Sequence, residues 1–294
     1  MNIQTMTLNT LTELQYQEIQ ELHRRCEAAD GLHLKINWDM IKHRHGEEPL
    51  DYLAYADGRL VGYLALYVFH DGEAEVSAIV DPDARRQGIF ATLLREAGAT
   101  MRSRGIPQFL FIVDHQSASG QAVARHLGTR FDHSEFKMRM PANEAVQDGA
   151  GSVKLIRASE SDLEDMAELD GACFGSPFAA VSERSRRDIV HPQRMHYLYR
   201  REGRLLGKIN LNLIEPGVGF IYGFGVHPSQ QGRGVGTAMI SELIANYRER
   251  VDAFALEVFG ENRRALRLYE RCGFRLVSQD DYYSLPVPAQ EAGR

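Results

Sequence analysis

The sequence predicts a mixed α/β fold, built twice in tandem. Two observations carry this. A glycine-rich turn at 231–236, Gln-Gly-Arg-Gly-Val-Gly, follows an apolar run ending in Val226 and precedes the helix-like stretch from Thr237 to Ile244. The chain also repeats itself at an offset of about 145 residues, which at this length means two copies of one domain rather than a solenoid.

The repeat rests on spaced anchors. Tyr52 and Leu53 correspond to Tyr197 and Leu198, and Gly58-Arg-Leu-Val-Gly62 to Gly203-Arg-Leu-Leu-Gly207. Val80-Asp-Pro82 corresponds to Val226-His-Pro228, Arg85 and Gly88 to Gln231 and Gly234, Phe109 to Phe254, and Gly128 to Gly273. The polar, Gly/Ala-rich stretch 141–152 reads as a linker. The expected division is therefore residues 1–140, linker 141–152 and residues 153–294.

Each copy is expected to open with a helix. Thr10-x-x-Glu13 and Ser161-x-x-Glu164 have the form of capping boxes. A hairpin follows around Asp57-Gly58 or Glu202-Gly203, then the strand, turn and helix of the glycine-rich segment, then a further strand and helix. The order is helix, strands, helix, strand, helix, strand.

A strand, a Gly-rich turn and a helix start together form an anion cradle, because backbone N–H groups converge on the positive end of the helix dipole. The spacing limits the anion. A P-loop needs Gly-Lys-Ser/Thr, which is absent. A dinucleotide turn needs a third glycine where Met239 stands. What matches is Q/R-x-x-G-x-G/A. Downstream come Leu256-Glu-Val258, Asn262, Ala265, Leu268-Tyr-Glu270 and Gly273-Phe274, and then Tyr282-Tyr283. In these residues the chain resembles the GNAT N-acetyltransferases, and the second half is similar to the ribosomal-protein alanine N-acetyltransferase type. The tandem layout is similar to that of mycothiol synthase.

The resemblance implies two GNAT-type acyltransferase domains, with acetyl-CoA as co-substrate and a primary amine, on a small molecule or a peptide N-terminus, as acceptor. It implies that the main chain of Phe224, Gly225 and Val226 pairs with the pantetheine arm. The pyrophosphate would lie on Gln231, Gly232, Arg233, Gly234, Val235, Gly236 and Thr237. Asn262 would sit near the pantetheine or serve only as an N-cap. Tyr269 is implied as the general acid to the leaving thiolate, against an ordinary packing role. Glu257 is implied as the base, or it faces solvent at a sheet edge. Glu215 could act through water but reads as a turn residue, and His227 as structural. Among Arg263, Arg264, Arg267 and Arg271, one or more could meet the 3′-phosphate; the rest read as a solvated face. The acceptor pocket is expected between Cys173 and His191 and around Tyr282-Tyr283.

In the first copy Phe90 stands where Gly236 is, and Ala124 stands opposite Tyr269. That copy is expected to be catalytically silent. A non-catalytic acyl-CoA sensor is the alternative for the whole chain.

Composition excludes other classes. The net charge of −6 argues against a nucleic-acid partner. No apolar run is long enough to span a bilayer, and the N-terminus lacks a basic region ahead of an apolar core. Three widely spaced cysteines, in no C-x-x-C pattern, read as free thiols in a cytoplasmic protein. His43 and His45 have no acidic or Cys companions, so no metal is expected.

Overall fold

Two hairpins turn on the residues that the repeat aligns. Asp57 and Gly58 have φ of 50° and 80°, and Glu202 and Gly203 have 52° and 77°. Two successive positive φ values make a two-residue turn whose twist matches the strands it joins. The computed structural model describes residues 2–144, 153–175, 186 and 188–288. They form two compact units, Met1–Glu135 with Ser278–Arg294, and Phe136–Val277.

In the first unit, strands β1 (Ile3–Leu8), β2 (Asp51–Ala56), β3 (Arg59–His70) and β4 (Glu73–Val80) form an antiparallel meander. β4 then pairs in parallel with β5 (Gln108–Asp114), but only over residues 74–76 and 109–111. The far side of β5 pairs antiparallel with residues 280–286, from the end of the chain. β3 is buried on both faces. Tyr63, Ala65 and Tyr67 meet helix α1 (Glu13–Asp30) through Ile19, Leu22 and Cys26, and Leu64 and Leu66 meet helix α3 (Ile89–Ser103) through Leu93 and Met101. Period-2 alternation with both faces apolar is what a covered central strand requires. A short helix α2 (Trp38–Lys42) and helix α4 (Ala118–Leu127) complete this unit.

Strand β6 (Arg130–Pro141) runs out of the first unit at Glu135. In the second unit its residues Met138 and Met140 join the core, and the chain continues through β7 (Ile156–Arg157), helix α5 (Leu163–Phe174), β8 (Arg194–Arg201), β9 (Arg204–Asn212) and β10 (Val218–Val226). Helix α6 (Val235–Tyr247), β11 (Ala253–Phe259) and helix α7 (Arg263–Arg271) follow, and β12 (Arg275–Pro286) returns to the first unit from Ser278. β10 pairs antiparallel with β9 and in parallel with β11. α6 and α7 cover one face of this sheet, with Met239, Leu243 and Leu266 in the core. α5 covers the other, with Met166 against Leu198. The linker stretch 145–152 lies outside the described residues. The repeat divides the sequence contiguously, whereas packing assigns the last strand segment, 278–286, to the unit built by the first copy.

The capping boxes sit two residues from their expected places. Thr12 caps α1 and pairs with Gln15, while Thr10 donates to the Arg44 carbonyl. Ser159 pairs with Asp162 ahead of α5. In both copies the opening element is a strand, not a helix. β1 is an edge strand whose apolar residues, Ile3, Met6 and Leu8, do not alternate; β7 is two residues long. No helix among the described residues is long and apolar enough to cross a membrane.

Candidate functional site

The site begins where a ladder stops. β10 and β11 pair from Val218–Ala253 to Ile221–Leu256 and no further. Immediately beyond, the register of β10 with β9 shifts between Tyr222 and Gly225, with Gly223 at φ 53°. A bulge bends its strand, so β10 swings away from β11. The gap is a cleft of about 560 Å³ in the second unit.

The chain closes one end of this cleft with the glycine-rich turn. His227 caps a short 3-10 turn (Pro228–Gln230) through its ring nitrogen. Gly232 and Gly234 have φ of 78° and 81°, and Gly234 is the N-cap of α6. A glycine N-cap has no side chain to offer, so the first amides of α6 lack a capping partner. Gly236 is tight for a different reason. A Cβ there would lie 3.2 Å from Leu268 and 3.4 Å from Phe224. The Gln231 side chain donates to the Val226 carbonyl at 2.9 Å and accepts from Arg264 at 2.7 Å.

Most of the residues read from the sequence line the cleft: Phe224, Gly225, Val226, Gln231, Gly232, Gly234, Gly236, Thr237, Glu257, Asn262 and Tyr269. Arg233 and Val235 belong to the turn but do not line it; Val235 packs on the core instead. Asn262 is the N-cap of α7, accepting from the Ala265 amide at 3.0 Å, and it still borders the cleft. Of the four arginines on α7, Arg264 and Arg271 reach the cleft; Arg263 and Arg267 do not. Glu215 accepts from the Val218 amide in a turn. Tyr282 and Tyr283 lie in the first unit, bonded to Glu135 and to Gln121. Residues 176–185 and 187, which hold most of the expected acceptor loop, lie outside the described residues.

Tyr269 is 7% exposed, with its ring against Phe224 and Phe274. Its hydroxyl makes no hydrogen bond among the described residues. Burial raises its pKa well above the usual phenol value, with a smaller push from Cys272. The phenol therefore keeps its proton. The same burial raises the neighbouring Cys272 thiol to about 11, and a thiolate leaving into such surroundings would become more basic for the same reason.

Two details were not read from the sequence, one of them the contact made by Cys173, the first residue of the expected acceptor segment. Cys173 lines the cleft, and its thiol points to the Val226 carbonyl at 3.5 Å. In the first unit Cys26 meets the Val80 carbonyl at 3.4 Å. The pair is a further repeat anchor, two residues off the main offset. The other is a row of polar side chains on β8, β9 and β10, described below. In the first unit the turn has the same frame without its openness. Arg86 adopts φ 62° where Gly232 stands, Gly88 caps α3 at φ 79°, Arg85 is held by Asp30, and Phe90 lies against Phe111.

A mixed sheet with one splayed parallel pair, a Gly-capped helix pointing into the splay and a phenol on the next helix define an acyltransferase-type fold. Residues 10–128 and 163–274 both match the acetyltransferase (GNAT) family. The chain belongs to that family, in tandem form, and it is an N-acetyltransferase. It is 30% identical over 291 residues to the mycothiol acetyltransferase of Stackebrandtia nassauensis, covering 90% of this chain and 94% of the relative. It is 28% identical over 269 residues to the mycothiol acetyltransferase of Mycobacterium leprae, covering 82% and 85%. Among solved structures, a GCN5-related N-acetyltransferase from Sphaerobacter thermophilus superposes with a TM-score of 0.80 at 19% identity, over 98% of this chain and 96% of that one. A tandem GNAT protein from the clavulanic acid biosynthesis pathway gives 0.77 at 16% identity, over 99% and 100%. These two establish the fold.

Proposed function

We propose that the second unit transfers the acetyl group of acetyl-CoA to a primary amine by direct attack, and that the first unit is catalytically silent. The observation that supports this is the cleft itself. One splay brings together Glu257, Tyr269 and the glycine-rich turn.

The residues present fit the co-substrate. Past Ile221 the edge of β10 facing β11 has no strand partner among the described residues, which suits the amide groups of a pantetheine arm. The amides at the start of α6, which no side chain caps, suit a pyrophosphate, with Arg264 beside Gly232. Acetyl-CoA supplies the thioester. The C–S bond breaks as the C–N bond forms. In this reading Glu257 accepts the proton lost by the attacking ammonium, and Tyr269 donates its phenolic proton to the sulfur. In the first unit Phe90 and Ala124 replace Gly236 and Tyr269, and Ala124 offers no proton.

The acceptor is a small-molecule amine or a peptide N-terminus. A narrower reading, a mycothiol acetyltransferase, rests on the relatives' names and on matching length. The test is free-thiol release from acetyl-CoA by the full-length protein across an amine panel, with the acetylated product identified by mass. Acetyl-CoA binding without transfer to any amine would sink the catalytic reading.

A further inference from the structure

On the α5 side of the second unit's sheet, three polar side chains stand directly opposite one another on adjacent strands. His196 of β8 faces Asn210 of β9, and Asn210 faces Tyr222 of β10. His196 is 2% exposed and Asn210 4%. Among the described residues, both ring nitrogens of His196, the side-chain oxygen of Asn210 and the hydroxyl of Tyr222 are buried without a hydrogen-bond partner. The Asn210 amide raises the pKa of the imidazole slightly, yet no hydrogen bond of normal geometry closes between them. A buried polar group left without a partner is destabilising, so one face of one sheet holds several at a standing cost.

The first unit supplies an internal comparison. The corresponding row is Asp51, Ala65 and Ser77. Asp51 is met by Arg44 at 2.9 Å and by the Tyr63 hydroxyl at 2.6 Å, and Ser77 donates to the Lys35 carbonyl at 2.8 Å. Both polar residues of that row thus have a close polar or charged partner, Asp51 through an ion pair with Arg44 whose facing atoms make no well-aligned hydrogen bond. Among the described residues, the four atoms named in the second unit's row have none.

The row leads to the reaction cleft. Tyr222 is the first residue of β10 after the last rung shared with β11, and Glu257 is the first of β11. Both line the cleft, and Gly223 beside them rests on the Asn210 amide, which an added Cβ would strike at 2.6 Å. Two ion pairs flank the row, and Arg157 is a further charge near it. Lys208 pairs with Asp170, and Arg194 with Asp188. Burial, the largest influence, keeps the imidazole neutral by lowering its pKa, with Lys208 and Arg157 acting the same way against Asp188. What remains is neutral: an imidazole, a carboxamide and a phenol, each able to donate and accept.

We propose that His196, Asn210 and Tyr222 form the acceptor-recognition subsite, which takes an uncharged hydroxyl- or amide-bearing portion of the amine substrate. The proposal deepens the acetyl-transfer reading and rests on it. A site built to pair polar groups rejects a partner that lacks them, because its own groups are then left unpaired.

The test uses matched amines that differ only in those groups: 2-amino-1,3-propanediol against isopropylamine, glucosamine against cyclohexylamine, and alaninamide against sec-butylamine. The full-length protein should favour the polar member of at least one pair by tenfold or more in kcat/KM. Tyr222→Phe and Asn210→Leu should each shrink that ratio about tenfold, while acetyl-CoA affinity stays within twofold. Comparing ratios across variants cancels the amines' own basicity. Tyr222→Phe loses one oxygen and keeps the ring, so it guards against a folding defect in Asn210→Leu. If no amine turns over, equilibrium binding of the same pairs to the CoA-loaded protein decides, independently of the transfer reading. Equal use or equal binding of both members by the wild type, no binding by any polar member, or a preference that survives in both variants overturns the proposal.

Discussion

Arg264 donates to the Gln231 side chain at 2.7 Å, and Gln231 in turn donates to the Val226 carbonyl at 2.9 Å. Two bonds thus tie α7 to the end of β10 across the glycine-rich turn. They fix the turn's shape and leave Arg264 beside Gly232. Arg264→Met keeps the stem and removes the charge and the tether. A charge-assisted hydrogen bond contributes about 1.5–3 kcal/mol, and exposure at this site favours the low end. Acetyl-CoA affinity measured by calorimetry should fall roughly tenfold. Thermal stability should hardly move, since Arg264 is exposed.

Gly236→Val tests the cradle sterically. Its Cβ would already press on Leu268 and Phe224, and the two further methyls have to enter the cleft or the core. Overpacking costs about 1–3 kcal/mol, so a lower melting temperature is expected alongside at least a hundredfold loss of acetyl-CoA affinity. The corresponding first-unit change, Phe90→Leu, should leave that affinity unchanged. Retained affinity in a folded Gly236→Val protein would reduce the turn to a structural feature.

Tyr269→Phe removes one oxygen from a cleft wall and leaves its packing on Phe224 and Phe274. Proton donation of this kind contributes about 10²–10⁴-fold. Turnover should fall within that range with acetyl-CoA affinity unchanged. The pH dependence follows from the direction of the shift. Burial raises the phenol's pKa above its usual value of about 10, so the acid form persists across the neutral and mildly alkaline range. No loss of kcat attributable to Tyr269 is expected below about pH 10. A wild-type alkaline limb near pH 8 that vanishes in Tyr269→Phe would contradict the raised value.

The sequence made the cleft legible because its parts are local. Gly232, Gly234 and Gly236 mark positions where side chains are excluded by φ or by contact, and Asn262 and Tyr269 keep fixed spacing on one helix. The hairpins at Asp57-Gly58 and Glu202-Gly203 were readable for the same reason. What escaped was non-local. His196, Asn210 and Tyr222 lie 14 and 12 residues apart in sequence and meet only through two strand registers. Arg264 and Gln231 are 33 apart. The placement of 278–286 in the first unit had no local signal either, because a repeat compares copies and says nothing about which copy a strand joins. Tyr282 and Tyr283 were expected at the acceptor pocket from their spacing alone, and packing assigns them to the first unit.

Glu135 links those distant parts of the first unit. It accepts from Lys35 at 2.8 Å and from the Tyr282 hydroxyl at 2.7 Å. Burial pushes its pKa up, but Lys35 and Tyr282 outweigh that and hold it below the ordinary carboxylate range. A depressed folded-state pKa gives stability that is present above the unfolded value, about 4.3, and lost as pH falls through the folded value. Lys35→Met should therefore cost about 1–3 kcal/mol at pH 7, less than a fully buried pair. The difference from wild type should shrink below about pH 4. Urea unfolding at the two pH values measures both; a constant difference would show that Lys35 acts through its stem alone.

The exchanged strand makes a sharper demand on the whole chain. β5 reads Gln-Phe-Leu-Phe-Ile-Val-Asp, and its outer edge is paired by residues 280–286. A chain ending at residue 141 loses that partner. It then exposes a seven-residue edge of high β-propensity, apolar from Phe109 to Val113, which is a template for aggregation. Residues 142–294 alone lack Met138 and Met140, which are 2% and 0% exposed in the second unit's core. Each fragment is thus missing a strand that the other carries. Expressed separately, residues 1–141 should be insoluble or associate through the open edge. Co-expressed with 142–294, they should become soluble and copurify at one-to-one stoichiometry. Solubility and size-exclusion chromatography read both outcomes. A soluble, monomeric, cooperatively melting 1–141 fragment would mean that the first unit closes its own sheet and does not need the end of the chain.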